Sequence, residues 1–195
     1  MNKSSHISLS LYMLERDALK DQNLHRRSFL IGSILPDCLP SFLTTRHTMP
    51  ETFSLLKSEI LKISIHYNRE RKVTKYFSIH FGMIMHYLAD YFTMPHNPGF
   101  EGTMKEHIEY ERKLCNSMQR FINGDMPIPE EAELETAEQL FDYIVKLHHV
   151  YLNEEKNLWT DCKYITKVCN HVAVGIIMLL SMDVVSRDMV QEIAA

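Results

Sequence analysis

The stretch HYLADYFTMPH, residues 86 to 96, places three metal-binding side chains among residues that otherwise suit a buried core. These side chains belong to His86, Asp90 and His96. Because His86 and Asp90 are four residues apart, their side chains lie on one face of a helix, one turn apart. Such a pair can share one ion. Pro95 ends the helical pattern, so His96 lies on the loop that follows.

A second pair with the same spacing lies in HIEYE, where His107 precedes Glu111 by four residues on a different predicted helix. Two His-x-x-x-carboxylate pairs on two helices are the components of a metal site inside a helical bundle. Imidazole and carboxylate ligands suit zinc best among the common metals, and a catalytic zinc site needs no cysteine. His96 lies on the connection between the two helices and could reach either pair.

Three further candidates precede the central segment. Asp37 ends GSILPD at a proline turn, His47 follows in the same loop, and His6 lies close to the N-terminus. The candidate ligands are therefore His6, Asp37, His47, His86, Asp90, His96, His107 and Glu111. Eight ligands are too many for a single zinc ion and indicate a cluster. The remaining histidines are interpreted as ordinary core or surface residues.

The elements that position these residues are predicted to be helices. The chain has only six glycines and seven prolines in its 195 residues, and it shows no strand-like alternation. A short apolar segment is expected at residues 26–35, and Ser4 or Ser5 is the expected cap of the first helix. Longer helices are expected at 6–20, 51–67, 73–93, 104–122, 130–153 and 160–190.

The segment 73–93 is apolar nearly all round, which indicates a central, buried helix. The chain has the length of one domain, and no internal repeat divides it. We therefore expect an all-α fold, a single multi-helix bundle domain that spans residues 1–195.

Composition narrows the classes of function. A net charge of −4 without a basic stripe argues against binding to long nucleic acids or to anionic membranes. None of the four cysteines forms a CxxC pair, which excludes a zinc ribbon. The N-terminus lacks the pattern of a signal peptide, and the most apolar run, 172–182, is shorter than the ~20 residues of a membrane span. We therefore expect a cytoplasmic protein without a transmembrane segment.

The pattern His-Tyr-x-x-Asp-x-x-x-Pro-x-His at 86–96, followed by His-x-x-x-Glu at 107–111, resembles the zinc-dependent phospholipase C family. This family shares its fold with the P1/S1 nucleases. The order of the other motifs agrees: an early histidine, a Gly-x-x-x-Pro-Asp turn and a further histidine precede the central helix. The resemblance covers residues 6–111. It implies a bundle of the phospholipase C/P1 nuclease type that holds two or three Zn²⁺ ions.

The resemblance also implies how the ligands divide between the ions. One zinc would be held by Asp37, His47, His86 and Asp90. A second would be held by His96, His107 and Glu111. A third would take His6 and the shared Asp90, and in the family it also takes the amine and carbonyl of an N-terminal tryptophan. This sequence has no tryptophan near its start, so the amine of Met1 is the candidate substitute.

The implied reaction is the hydrolysis of a phosphoester by a zinc-bridged water that attacks phosphorus. Asp37 would act both as a zinc ligand and as the acceptor that positions this water, and the substrate would be a small phosphoester or a phospholipid. Two alternatives stay open: a nuclease or nucleotidase with the same three-zinc site, and a non-catalytic metal-binding helical protein. HD-type phosphohydrolases and ferritin-like di-iron proteins are excluded, because the sequence contains neither a His-Asp dipeptide nor a Glu-x-x-His motif.

Overall fold

The computed structural model describes residues 1–15, 17–38, 45–67, 73–124 and 134–181. Throughout these ranges the regular structure is helical and contains no strand, which confirms the prediction of an all-α fold. Short 3₁₀ helices at Leu35–Asp37 and Met94–His96 carry two of the candidate ligands. The α-helices are α1 (Lys3–Glu15), α2 (Asp17–Lys20), α3 (Arg26–Ile34), α4 (Met49–His66), α5 (Lys75–Tyr91), α6 (Met104–Asn123), α7 (Ala137–Leu152) and α8 (Leu158–Ser181).

Several predicted helix boundaries were wrong by a few residues. The first helix begins at Lys3, and its cap is Asn2 rather than Ser4 or Ser5, since Asn2 Oδ1 accepts the backbone N–H of Ser5 at 2.9 Å. The helix predicted from residue 130 begins at Ala137, where Thr136 completes a capping box. Residues 16, 130–133 and 182–190 of the predicted helices lie outside the described residues. The division into domains stays a prediction.

Helix α5 is central to the fold, as its apolar sequence predicted. Every residue from Phe81 to Tyr91 is buried, and the helix packs against α1, α3, α4 and α8. Burial on all sides places His86 and Asp90 in the interior, where a polar group is stable only with partners close at hand.

Two glycines bring α3 and α5 unusually close together. A Cβ on Gly32 would lie 2.0 Å from the Ile79 carbonyl oxygen, and a Cβ on Gly82 would lie 2.3 Å from that of Phe29. Both obstructing atoms belong to the backbone, which cannot move aside as a side chain can. This close contact sets the distance between α3 and the candidate ligand His86.

We expect Gly82→Ala to lower the free energy of unfolding by about 2 kcal/mol or more. Alanine stabilises a helix by about 1 kcal/mol relative to glycine. The clash of the added Cβ with the backbone of α3 outweighs that gain. Urea unfolding followed by circular dichroism measures the change. Gly175→Ala in α8 is the control, because the three atoms nearest to its Cβ would be side-chain atoms of Leu140 and Leu134. Equal stability of the two variants would contradict the close-contact explanation.

Helix α8 is longer than the apolar run seen in the sequence. Between Leu158 and Leu180 it is long and apolar enough to cross a membrane, by length and composition only. In the folded chain 67% of its apolar window is buried, as for a helix at the core of a globular protein. The apolar run at 172–182 is therefore only part of a longer apolar helix, and the expectation of a core helix agrees with this burial.

Candidate metal centre

Four of the predicted ligands converge at the end of α5. One ligand atom from each of Asp37, His47, His86 and Asp90 lies within 4.8 Å of the others. Asp90 Oδ2 is 3.0 Å from His47 Nδ1 and 3.2 Å from His86 Nε2. Asp37 Oδ1 is 3.7 Å from the same two nitrogens. Asp37 is half-buried and the other three are buried, so solvent reaches this group from the side of Asp37.

The other predicted pair and the loop histidine form a second group. Ligand atoms of His96, His107 and Glu111 also lie within 4.8 Å of one another. Glu111 Oε1 is 2.8 Å from His107 Nε2 and 3.3 Å from His96 Nε2. All three side chains are half-buried. The 3₁₀ helix that follows α5 turns His96 toward α6, as the proline pattern predicted.

Asp90 lies between the two groups. While Oδ2 faces His47 and His86, Oδ1 lies 3.3 Å from His6 Nε2 and 4.0 Å from His96 Nε2. Asp90 is completely buried. Its two oxygens therefore face histidines of both groups and the isolated His6, the arrangement expected of a carboxylate shared between ions.

The α-amine of Met1 enters the same space. It contacts Asp90 Oδ1 directly and lies 3.2 Å from His96 Nε2 and 3.3 Å from Glu111 Oε1. The side chain of Asn2 supports this placement, because it caps α1 and its Nδ2 donates to the Glu111 carbonyl oxygen at 3.2 Å. The candidate substitute for the family's tryptophan amine thus lies beside Asp90.

His6 provides a test of whether the residues present fit a metal ion. Its side chain is 1% exposed, and its ring stacks on that of His86 with centroids 4.0 Å apart. Although Nε2 is near Asp90, it has no hydrogen-bond partner in the part of the chain that the structure describes. A buried polar atom without a partner costs about 1–3 kcal/mol. A cation bound between His6 and Asp90 would satisfy it, so the donor set fits zinc.

Burial and mutual charge hold four of these groups in the states that bind metal. Burial lowers the pKa of His6 to about 3 and also lowers that of His96, so both imidazoles are neutral near pH 7. Burial alone would raise the pKa of Asp90, but the Met1 amine and nearby histidines hold that pKa well below its usual range. Burial likewise opposes ionisation of Glu111, whose pKa is nevertheless lowered by hydrogen bonds from His107 and His96. Neutral imidazole and ionised carboxylate are the forms that ligate zinc.

The supporting residues were only partly visible in the sequence. His86 Nδ1 donates to the Ser33 carbonyl oxygen at 2.8 Å, which leaves Nε2 free to face the cluster. This contact depends on the close approach of α3 and α5. Sequence spacing could not reveal it, because a backbone carbonyl has no residue-type signal.

Asp161 was missed altogether. It is completely buried, and its Oδ2 accepts hydrogen bonds from the Met94 N–H and the Tyr110 hydroxyl, both at 2.9 Å. Its Oδ1 accepts from the Tyr151 hydroxyl at 2.8 Å. Met94 begins the turn that carries His96, and Tyr110 precedes Glu111. Asp161 is the one carboxylate in the largely apolar helix α8. Since carboxylates are seldom buried without partners, this feature of the sequence could have indicated its role.

We expect Asp161→Asn to weaken zinc binding by the second group about tenfold to a hundredfold, as removal of outer-shell hydrogen bonds commonly does. An amide replaces one acceptor oxygen by a donor, so the N–H of Met94 and the hydroxyls of Tyr110 and Tyr151 can no longer all be satisfied. Competition with a chromophoric chelator measures the affinities. Asp142→Asn, on the exposed surface of α7, is the control. Unchanged affinity in Asp161→Asn would refute the supporting role.

Comparison with known proteins agrees with this geometry. The family model for zinc-dependent phospholipase C matches residues 5–158, which is most of the chain. The chain belongs to the zinc-dependent phospholipase C family. The match extends well past residue 111, so the family likeness reaches beyond the metal motifs through α7 to the start of α8. Neither curated proteins nor solved structures gave a match.

Membership in the zinc-dependent phospholipase C family confirms the resemblance inferred from the motifs. Together with the two clusters of ligand atoms, it supports zinc as the metal. The number of ions and the ligands of each ion stay predictions.

Proposed function

We propose that this protein is a zinc-dependent hydrolase of phosphoesters, most closely phospholipase C-like in its reaction. The observation that carries the proposal is the position of Asp90 between two groups of metal-binding side chains. Zinc ions bound at these groups would polarise a phosphoryl oxygen and lower the pKa of a water molecule. A buried, shared carboxylate keeps two such ions close enough to act on one phosphorus.

The proposed ligand assignment follows the two groups and the Met1 amine. The first ion would use Asp37, His47, His86 and Asp90. The second would use His96, His107 and Glu111. A third would use His6, Asp90 and the amine of Met1. Contacts of 3.0–3.7 Å within the first group support its assignment.

Asp37 is the proposed catalytic residue. Its side chain is 23% exposed, whereas Asp90 beside it is completely buried. Burial raises the pKa of the Asp37 carboxyl above its usual value, which makes it a better proton acceptor than an ordinary aspartate. A carboxylate at the solvent side of the cluster can accept a hydrogen bond from water and direct that water toward phosphorus.

A cleft next to the cluster provides room for substrate. It has a volume of about 650 Å³, and its walls include the ligands His47, His96 and His107. Arg46 and Phe100 are also part of the walls. The volume suits a small-molecule ligand, and the exposed edges of both ligand groups face it. A small phosphoester or the headgroup of a phospholipid therefore fits the proposal.

Elemental analysis and a panel of phosphoesters test the proposed function. The purified protein should contain two or three zinc ions per chain, and it should hydrolyse lecithin or p-nitrophenylphosphorylcholine until a chelator is added. Absence of zinc after mild dialysis would contradict the metal site. Hydrolysis of nucleotides or single-stranded DNA alone would favour the nuclease alternative. Bound zinc without hydrolysis of any ester would favour the non-catalytic alternative.

A further inference from the structure

A second cavity adjoins the cleft beside the metal-binding groups. It has a volume of about 500 Å³, and it shares two wall residues, Pro50 and Pro98, with that cleft. A ligand that occupies the cleft can therefore continue past the two prolines into the second cavity. The other wall residues are Met49, Phe53, Ser54, Lys57, His148 and Leu152.

The walls of this cavity are mainly apolar. The ring of Phe53 packs edge-on against Phe141, and Lys57 Nζ lies 4.9 Å from the centre of the Phe53 ring. The methylene groups of the lysine thus extend the apolar wall while its charge stays on the ring face. None of the wall residues is acidic. These properties favour a hydrocarbon ligand over a cationic or strongly polar one.

His148, whose imidazole is part of the wall, already makes a hydrogen bond within the protein. His148 Nε2 donates to Asn97 Oδ1 at 2.7 Å, and burial lowers the pKa of His148 to about 4. It therefore presents a neutral ring face near pH 7. Asn97 in turn donates to the carbonyl oxygens of Tyr91 and Thr93, both at 2.9 Å. His148 is therefore hydrogen-bonded to the turn that carries the ligand His96.

We propose that this second cavity is a subsite for the hydrocarbon chain of a lipid phosphoester whose phosphoryl group lies at the metal-binding cluster. The inference rests on the proposed function and adds to it the place where the apolar part of the substrate binds. Continuity with the metal cleft selects this occupant, because a chain attached to a phosphoester in the cleft reaches the cavity without leaving the protein surface. Each methylene buried there should tighten binding about fourfold.

Short-chain lecithins used below their micellar concentration test the subsite. In the wild-type protein, kcat/KM should be about tenfold or more higher for dihexanoyl than for dibutyryl lecithin, because of the extra buried methylenes. Ser54 is exposed at the wall, and Ser54→Trp should fill the cavity and bring this ratio close to one. Ser58→Trp, one turn further along α4 and outside the wall, is the matched control. It should keep the wild-type ratio.

The outcomes separate the subsite from the proposed function. Hydrolysis with no dependence on chain length and no effect of Ser54→Trp would refute the subsite while the hydrolase stands. No hydrolysis of any phosphoester by the zinc-loaded wild type would refute the proposed function itself. If Ser54→Trp impairs only nucleotide hydrolysis, the hydrocarbon occupant is wrong. If Ser54→Trp fails to fold, Ser54→Glu is used instead, because a carboxylate in the wall disfavours a hydrocarbon chain. An unchanged ratio of kcat/KM between dihexanoyl and dibutyryl lecithin in Ser54→Glu would refute the subsite.

Discussion

Replacing Asp90 with asparagine should remove more than one zinc ion from the protein. Asp90 Oδ2 faces His47 and His86 at 3.0 and 3.2 Å, while Oδ1 faces the Met1 amine and His6. An amide retains only one oxygen and carries no charge, so it cannot bridge two cations as a carboxylate does. Hydrolysis of the phosphoester should fall by about a thousandfold or more, because both the ions and their charge stabilisation are lost.

Elemental analysis of the purified Asp90→Asn protein gives the number of ions directly. Asp37→Asn is the matched comparison, because the ion pairs of Asp37 within the described residues are with His47 and His86, both of the first group. It should cost at most one ion, with a large loss of activity. Loss of one ion or none from Asp90→Asn would disprove the bridging role. Circular dichroism before metal loading shows whether each variant is folded.

Placing Gly-Ser in front of Met1 should remove the third ion and lower hydrolysis by about a hundredfold, the scale of losing one group that stabilises transition-state charge. The amine of Met1 is buried and lies beside Asp90, His96 and Glu111. An added residue converts that amine into a peptide N–H, which cannot ligate a metal through nitrogen. The extension must also pass through a space already filled by buried side chains.

The control for this experiment carries the same dipeptide after Ala195. That protein should keep its zinc content and its activity, because the Met1 amine and all eight candidate ligands lie within residues 1–111. Zinc is counted by elemental analysis, and hydrolysis is followed with the ester that the wild type cleaves fastest. Full zinc content and activity in the N-terminally extended protein would show that the Met1 amine is not a ligand.

Much of the metal centre could be predicted because its ligands occur in local patterns. The four-residue spacing of His86 with Asp90, and of His107 with Glu111, puts each pair on one helix face whatever the rest of the fold does. Pro95 cannot continue α5, because proline has no backbone N–H to donate and its ring clashes with the preceding turn of a helix. The turn that follows carries His96. Both features follow from local backbone geometry, so they can be predicted from the sequence alone.

Other features depend on segments that are distant along the chain. The contacts of Asp161 with Met94 and Tyr110 span 67 and 51 residues, and no spacing rule connects them. The helix predicted at residue 130 begins at Ala137, because the Thr136 capping box lies downstream of the acidic run that suggested a start. The position of a helix cap and the hydrogen bonds of a buried carboxylate depend on partner residues, and a pattern of residue types does not reveal these partners.

The sequence by itself determined the helical class, the eight candidate ligands and the likeness to zinc-dependent phospholipase C. Only the tertiary structure decided that Asp90 lies between the two groups, that the Met1 amine lies beside it, and that an apolar cavity adjoins the cleft. The physical reason is the packing of α3 against α5 through Gly32 and Gly82, and of α1 against α6. Periodicity along one helix fixes which face a residue occupies, but the distance between faces of different helices is set by the side chains packed between them.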